Sequence, residues 1–304
     1  MHPDYDALLD SWELALDADG YPATTLRAYR IGVQRFAAWL HVEHPDVDPL
    51  SIDRQHIRGW LAGARDRYSV NSIRAWYTGL RHFCGWLLAE GETTTDPTVG
   101  VRGPRPGETA TNVLADDAVA ALLATCTGNS FKDRRDAAIL YVFFDGGVRL
   151  AENVGLRVDD FDLKDRILFL QGKGSNRSGP RRRAVALGVK ATRALDRYLR
   201  ERRKHPYAEL PQMWLGDRGR GPIKRDAVVA TVQSRAAQAG IEGFHPHMAR
   251  HTWASAFRQA GGEEGDLMVL GGWRSRQMLD RYGKAAAEGR AQASYRQRSL
   301  GDRL

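Results

Sequence analysis

Cysteine is nearly absent: Cys84 and Cys126 are the only two in 304 residues, and neither belongs to a CxxC or Cys/His cluster. That rules out a disulfide framework and argues against a structural zinc site, so both thiols are read as small buried apolar residues. No apolar run approaches the ~20 residues that span a bilayer, which excludes a role built on membrane insertion. The opening MHPDYDALLDSWELALDADG has neither the basic start nor the unbroken apolar stretch of a secretory signal, so the expected location is the cytoplasm. Lysine is scarce as well, seven residues against 38 arginines. Internal repeats and low-complexity segments are missing.

What is present is an ordinary globular composition, 42% hydrophobic and 27% charged, with a net charge of +8 and a pI near 9.6. The positive balance favours a polyanionic partner, and the planar fork of arginine suits phosphate. A GC-rich genome would enrich arginine equally well. The length suggests two domains. Leu26, Tyr29, Val33, Phe36 and Leu40 recur at helical spacing over 23–41, and Ile73, Tyr77, Leu80, Cys84 and Leu87 do so over 71–89. With weaker helical patterns at 4–18 and 53–66, residues 1–90 read as a small helical domain. Arg27, Arg30, Arg74 and Arg81 fall mostly off its apolar stripes, where they could follow a DNA backbone or simply face water.

The Gly/Pro/Thr-rich stretch that begins GETTTDPTVGVRGPRPGE reads as a linker over 91–110. A second domain is expected over 111–304. Its helical patterns lie near 115–126, 132–144, 189–203, 224–239 and 246–260. Apolar runs at 167–170 and 184–187 flank GKGSNRSGP, which reads as a β-hairpin with a long polar tip. The fold class is therefore mainly α with a small β-hairpin or sheet in the C-terminal domain, an α+β chain.

Four segments of the second domain carry residues suited to phosphate chemistry, and each has a plain structural explanation too. Arg149 follows a Gly-Gly pair and opens a short helix. Lys173 sits between two glycines at the hairpin tip. His247 and Arg250 lie three apart just after Pro246, at a helix start whose amides and dipole favour an anion. With nine His and 38 Arg, chance alone supplies about one HxxR match. Trp273 precedes Tyr282 by nine residues in LGGWRSRQMLDRYGK.

Taken in order, Arg149, Lys173, His247, Arg250, Trp273 and Tyr282 resemble the active site of the tyrosine recombinase, or phage integrase, family. GVRLAENVGLRVDD looks like that family's Thr-Gly-Leu-Arg segment, HPHMARHTWA like its His-x-x-Arg-His segment, and LGGWRSRQMLDRY like its Leu-Gly-His segment leading to the nucleophile. In this chain Gly272 stands where the Leu-Gly-His frame puts histidine, and Trp273 is aligned by its distance from Tyr282. The first domain and linker are similar to the family's SAM-like core-binding domain and interdomain strap. The extra arm-binding domain of lambda-type integrases has no counterpart in the sequence.

The resemblance implies a metal- and ATP-independent site-specific recombinase that needs no cofactor. Tyr282 would be the nucleophile, Arg149 and Arg250 the grip on the non-bridging oxygens, and His247 the aid to the phenol. Lys173 would be the acid for the leaving oxygen and Trp273 a neutral donor, with Glu152 and His251 supporting. The implied partners are a double-stranded attachment site, a homotetramer on two duplexes and an accessory directionality factor; the alternating alanines and arginines of the tail AAAEGRAQASYRQRSL suit docking on a neighbour or packing on its own domain. Tyr295 is the rival nucleophile. Integration or excision of a phage or mobile element is the expected role. The alternatives are a Xer-type dimer resolvase, a type IB topoisomerase-like enzyme and a non-catalytic DNA-binding relative.

Overall fold

The computed structural model describes residues 3–105, 112–171 and 182–273, with 275, 276, 295, 296, 299 and 301 beyond them. The chain divides into two compact units, residues 1–109 and 110–304. Among the described residues no helix is long and apolar enough to cross a membrane.

The first unit contains α1 (Pro3–Ala18), α2 (Ala23–Glu43), α3 (Arg54–Ala64) and α4 (Val70–Ala89). Asp53 starts α3 by accepting the backbone N–H groups of Gln55 and His56 at 2.8 and 3.1 Å, and Ser69 starts α4 through Ser72 N–H at 3.2 Å. The periodic residues of α2 and α4 meet in the core, where Val33, Phe36, Ile73 and Leu80 are fully buried. Cys84 lies among them, and burial pushes its thiol pKa up to about 12.

The second unit is built around α6 (Phe131–Gly146). Ile139, Leu140, Val142 and Phe143 are four consecutive buried residues apart from the half-buried Tyr141, so this helix is covered on nearly all sides. Its neighbours are α5 (Asp116–Ala124), α7 (Leu150–Val154), α8 (Val189–Arg202), α9 (Arg225–Gln238) and α10 (Pro246–Gln259), and α11 (Glu264–Gly271) follows α10. Asp136, on α6, is fully buried and accepts from Arg135 at 2.8 Å and from Arg235 of α9 at 2.9 Å. Such a pair ties the two helices together because an unpaired buried charge would be costly.

Three short antiparallel strands, β1 (Phe161–Asp162), β2 (Ile167–Gln171) and β3 (Arg182–Ala186), form a sheet in that order. Phe169 pairs with Ala184, as expected for a hairpin. Leu168, Leu170 and Val185 point into the core with the period of two that a half-buried sheet requires. The unit is thus mainly helical with one small antiparallel sheet. The hairpin tip that carries Lys173 lies outside the described residues, as do Tyr282 and most of the C-terminal tail.

Candidate active site

The C-terminal end of α6 begins the site. Gly147 closes that helix in the left-handed conformation, φ 56°, donating its N–H to Phe143 O at 3.1 Å. The ring of Trp253, on α10, lies where a side chain at 147 would go. A residue with a Cβ is therefore excluded by both conformation and space.

Two residues later the chain is extended at Arg149, which caps α7. The Glu152 carboxylate reaches back to accept Arg149 N–H at 2.8 Å and Arg149 Nη1 at 2.7 Å. It also accepts Arg183 Nη2 from β3 at 2.7 Å. Glu152 is 7% exposed. Burial acts to raise its pKa, but Arg183 and Arg149 outweigh burial and hold the carboxyl below its ordinary value.

The second anchor is the end of α11, where Gly272 takes the left-handed conformation, φ 62°. Three guanidinium groups converge there on three successive carbonyls. Arg183 Nη1 donates to Leu270 O, Arg250 Nη2 to Gly271 O, and Arg149 Nη2 to Gly272 O, the last at 3.1 Å. These carbonyls form the negative end of the helix and lack partners within it, so cations are favoured there. A Cβ at Gly272 would come within 3.2 Å of Arg183 Cδ and 3.5 Å of Arg149 Nη1. Trp273 N–H then donates to Met268 O at 3.0 Å, and its ring lies 4.8 Å from the Arg250 guanidinium carbon.

Arg250 reaches this point from α10. It is 2% exposed and donates to Gly147 O as well as Gly271 O, so it joins the ends of α6 and α11. One turn earlier, Pro246 opens the helix and His245 caps it, accepting Met248 N–H at 3.2 Å. His247 follows Pro246 in the first turn and is exposed. Partial desolvation, followed by the positive charges of Arg250, His245, Arg149 and Arg225, lowers its pKa from the ordinary histidine value. The shift favours the neutral imidazole, the form that can accept a proton. His251 stacks beside it, ring centres 6.1 Å apart.

Of the residues singled out in the sequence, Arg149, Glu152, His247, Arg250, His251 and Trp273 thus belong to one connected cluster. Lys173 and Tyr282 lie outside the described residues. Arg183 was not anticipated. It hides in the run Arg181–Arg182–Arg183, but counting back by two from the buried Val185 and Leu187 places it on the inward face of β3. In the first unit, Arg27, Arg74 and Arg81 are exposed. Arg30 is instead drawn into ion pairs with Asp10 at 2.8 Å and Glu13 at 2.7 Å. Residues 1–109 hold 15 acidic and 11 basic side chains, so the positive surplus of the chain lies wholly in residues 110–304.

Comparison with known proteins places this geometry in context. Residues 112–288 match the phage integrase family. Among similar sequences, the tyrosine recombinase XerD of Mycobacterium leprae is 36% identical over 187 residues, covering 58% of this chain and 57% of that protein. The tyrosine recombinase XerD of Bifidobacterium longum is 30% identical over 84% of this chain and 85% of its own length. Among solved structures, the XerH site-specific recombinase bound to a palindromic difH substrate in a post-cleavage complex superposes with a TM-score of 0.71 at 16% identity, covering 91% of this chain and 80% of that one. A lambda integrase dimer bound to a COC′ core site gives 0.70 at 18% identity, over 91% of this chain and 94% of the other. Both likenesses are of fold.

Proposed function

This chain belongs to the phage integrase family, and on that footing we propose that it is a site-specific DNA recombinase that cleaves and rejoins strands through a 3′-phosphotyrosyl ester on Tyr282. The observation that carries the reading is the convergence of Arg149, Arg250 and Trp273 on the end of α11, nine residues before Tyr282. One phosphate set against that cluster would meet two guanidinium groups already fixed in place by carbonyl bonds. Preorganised donors of this kind need no rearrangement when charge builds up on the non-bridging oxygens.

Each step then has a side chain. The phenol of Tyr282, with an ordinary pKa near ~10, attacks phosphorus and gives its proton up with help from neutral His247. Arg149 uses two of the five N–H donors of its guanidinium for Glu152 and Gly272, and others remain for phosphate. Arg250 supplies the second charge, and the Trp273 indole a neutral donor. Lys173 protonates the departing 5′ oxygen. Glu152 positions Arg149, while His251 supports His247. The phosphotyrosyl ester keeps the energy of the broken bond, so a 5′ hydroxyl from a second duplex attacks it, restores the phosphodiester and frees Tyr282 without ATP.

Exchange of this kind calls for four protomers on two duplexes, with residues 1–90 as the core-binding domain and the tail docked on a neighbour. A DNA substrate is compatible with the cytoplasmic location expected from the sequence. Integration or excision of a mobile element, with an accessory directionality factor, is the role we favour. The length over which the Bifidobacterium XerD aligns supports dimer resolution as a second reading. The test is to offer the protein nicked suicide duplexes drawn from the DNA flanking its gene. Covalent capture followed by joining of two duplexes supports recombination. Relaxation of plasmids without joining would mark a topoisomerase-like enzyme, and absence of any adduct a non-catalytic DNA binder.

A further inference from the structure

A second basic feature of the C-terminal unit shares no residue with the cluster around Arg149 and Arg250. A groove of about 1000 Å³ opens between α6, α8 and the loop at 127–129. One of its walls is a stripe along α8. Lys190, Arg193, Arg197 and Arg200, with Lys204 just past the helix end, recur in steps of three and four, and all five are exposed. The stripe runs about 20 Å at 1.5 Å per residue. The opposite face of α8 is the packed one, where Ala191, Leu195 and Tyr198 are buried.

Three of the five charges have no counter-charge among the described residues. Like charges three and four apart on a helix repel one another. Arg200 is offset by Asp196 at 3.1 Å and Lys204 by Glu201 at 3.1 Å. Arg134, on α6 across the groove, also pairs with Glu201, at 2.6 Å. Lys190, Arg193 and Arg197 have no acidic partner among the described residues, and Glu201 is the one carboxylate among those lining the groove.

Such a row fits a linear polyanion. Over about 20 Å of axis a duplex offers about six phosphates on each strand, at 3.4 Å per step. The rival partner within the protein is α1 of another copy, whose Asp6, Asp10, Glu13 and Asp17 form an acidic row of the same spacing. Its two central acids are already neutralised by Arg30, so it fits the stripe less well than DNA does. The chain's own tail, with Arg290, Arg296 and Arg298, carries the wrong sign.

We propose that the α6–α8 groove is a second, sequence-independent DNA-backbone site, which holds duplex outside the segment engaged for cleavage through Lys190, Arg193 and Arg197. The proposal rests on the recombinase reading for its choice of polyanion. Its test is the binding of the full-length chain to a long duplex of arbitrary sequence across a salt series. Each phosphate contact contributes about 0.9 to the slope of log K against log salt. K190A/R193A/R197A therefore has a slope shallower by between two and three, and R193K/R197K keeps the original slope. Should the triple variant fold poorly, R193A alone still lowers the slope by about one. Adduct yield on a short nicked duplex that spans only the cleavage site stays at the wild-type level in all of them. An unchanged slope overturns the groove, as does a variant that alters self-association and leaves DNA binding intact. A wild-type chain that forms no adduct, with the triple variant still shallower in slope, refutes the recombinase reading and leaves the groove standing.

Discussion

Replacing Glu152 with alanine removes the carboxylate that holds Arg149 and Arg183 together. The Arg183 and Glu152 side chains are 12% and 4% exposed, so the substitution leaves a largely buried guanidinium without its counter-charge, which typically costs about 3–5 kcal/mol. Arg149 is 36% exposed in its side chain, and losing its ion pair adds no more than about 1 kcal/mol. Glu152→Gln keeps an acceptor for Arg149 N–H but loses the charge, at about 1.5–3 kcal/mol. The assay is urea unfolding followed by tryptophan fluorescence. At about 2 kcal/mol per molar urea, the midpoint of the C-terminal unit falls by about 2 M for alanine and about half of that for glutamine.

The pH dependence follows from the depressed folded pKa of Glu152. Its contribution is complete above the ordinary carboxylate value of about 4.3 and is lost as pH falls through the lower folded value. The gap between wild type and Glu152→Gln is therefore constant near neutrality and closes only in more acidic solution. A Glu152→Ala protein that unfolds at the wild-type midpoint would refute the account of how this cluster is held.

Arg149→Ala lowers the rate of strand cleavage by roughly 100- to 1000-fold, and Arg149→Lys recovers little of it because a point charge does not replace the fork; single-turnover adduct formation measures both. With the His247 pKa pushed down by desolvation and neighbouring arginines, the acid limb of the cleavage pH profile lies below the ordinary histidine value of about 6.5. His247→Gln lowers the rate and abolishes that limb. Gly147→Ala combines left-handed strain of about 1–2 kcal/mol with about 1–3 kcal/mol of overpacking against Trp253, visible as a lower melting temperature.

The first unit was legible residue by residue, because both of its main helices bury one apolar stripe: Val33, Phe36 and Leu40 on α2, and Ile73, Leu80 and Cys84 on α4. β2 and β3 were found instead as two short apolar runs flanking a polar tip. Periodicity missed α11, where Leu267 is buried while Val269 is 73% exposed, since eight residues running into Gly271 and the capping Gly272 present no stripe. It missed β1 as well, because two residues cannot show a period. Arg149, His247, Arg250 and Trp273 were found as an ordered series of separated words, each weak alone. What no linear pattern carries is the reason they meet: the open carbonyls of Leu270, Gly271 and Gly272, on which three arginines from different elements converge. For Arg183 the inward register on β3 was readable, but its partners Glu152 and Leu270, both remote in the chain, were not.

The central claim is tested most directly by digesting the covalent protein–DNA adduct with trypsin and identifying the nucleotide-bearing peptide by mass spectrometry. The account predicts a single modified residue, Tyr282, attached to a 3′ phosphate, and no adduct from Tyr282→Phe. A nucleotide on Tyr295 or on a serine, or an adduct that survives Tyr282→Phe, would contradict it.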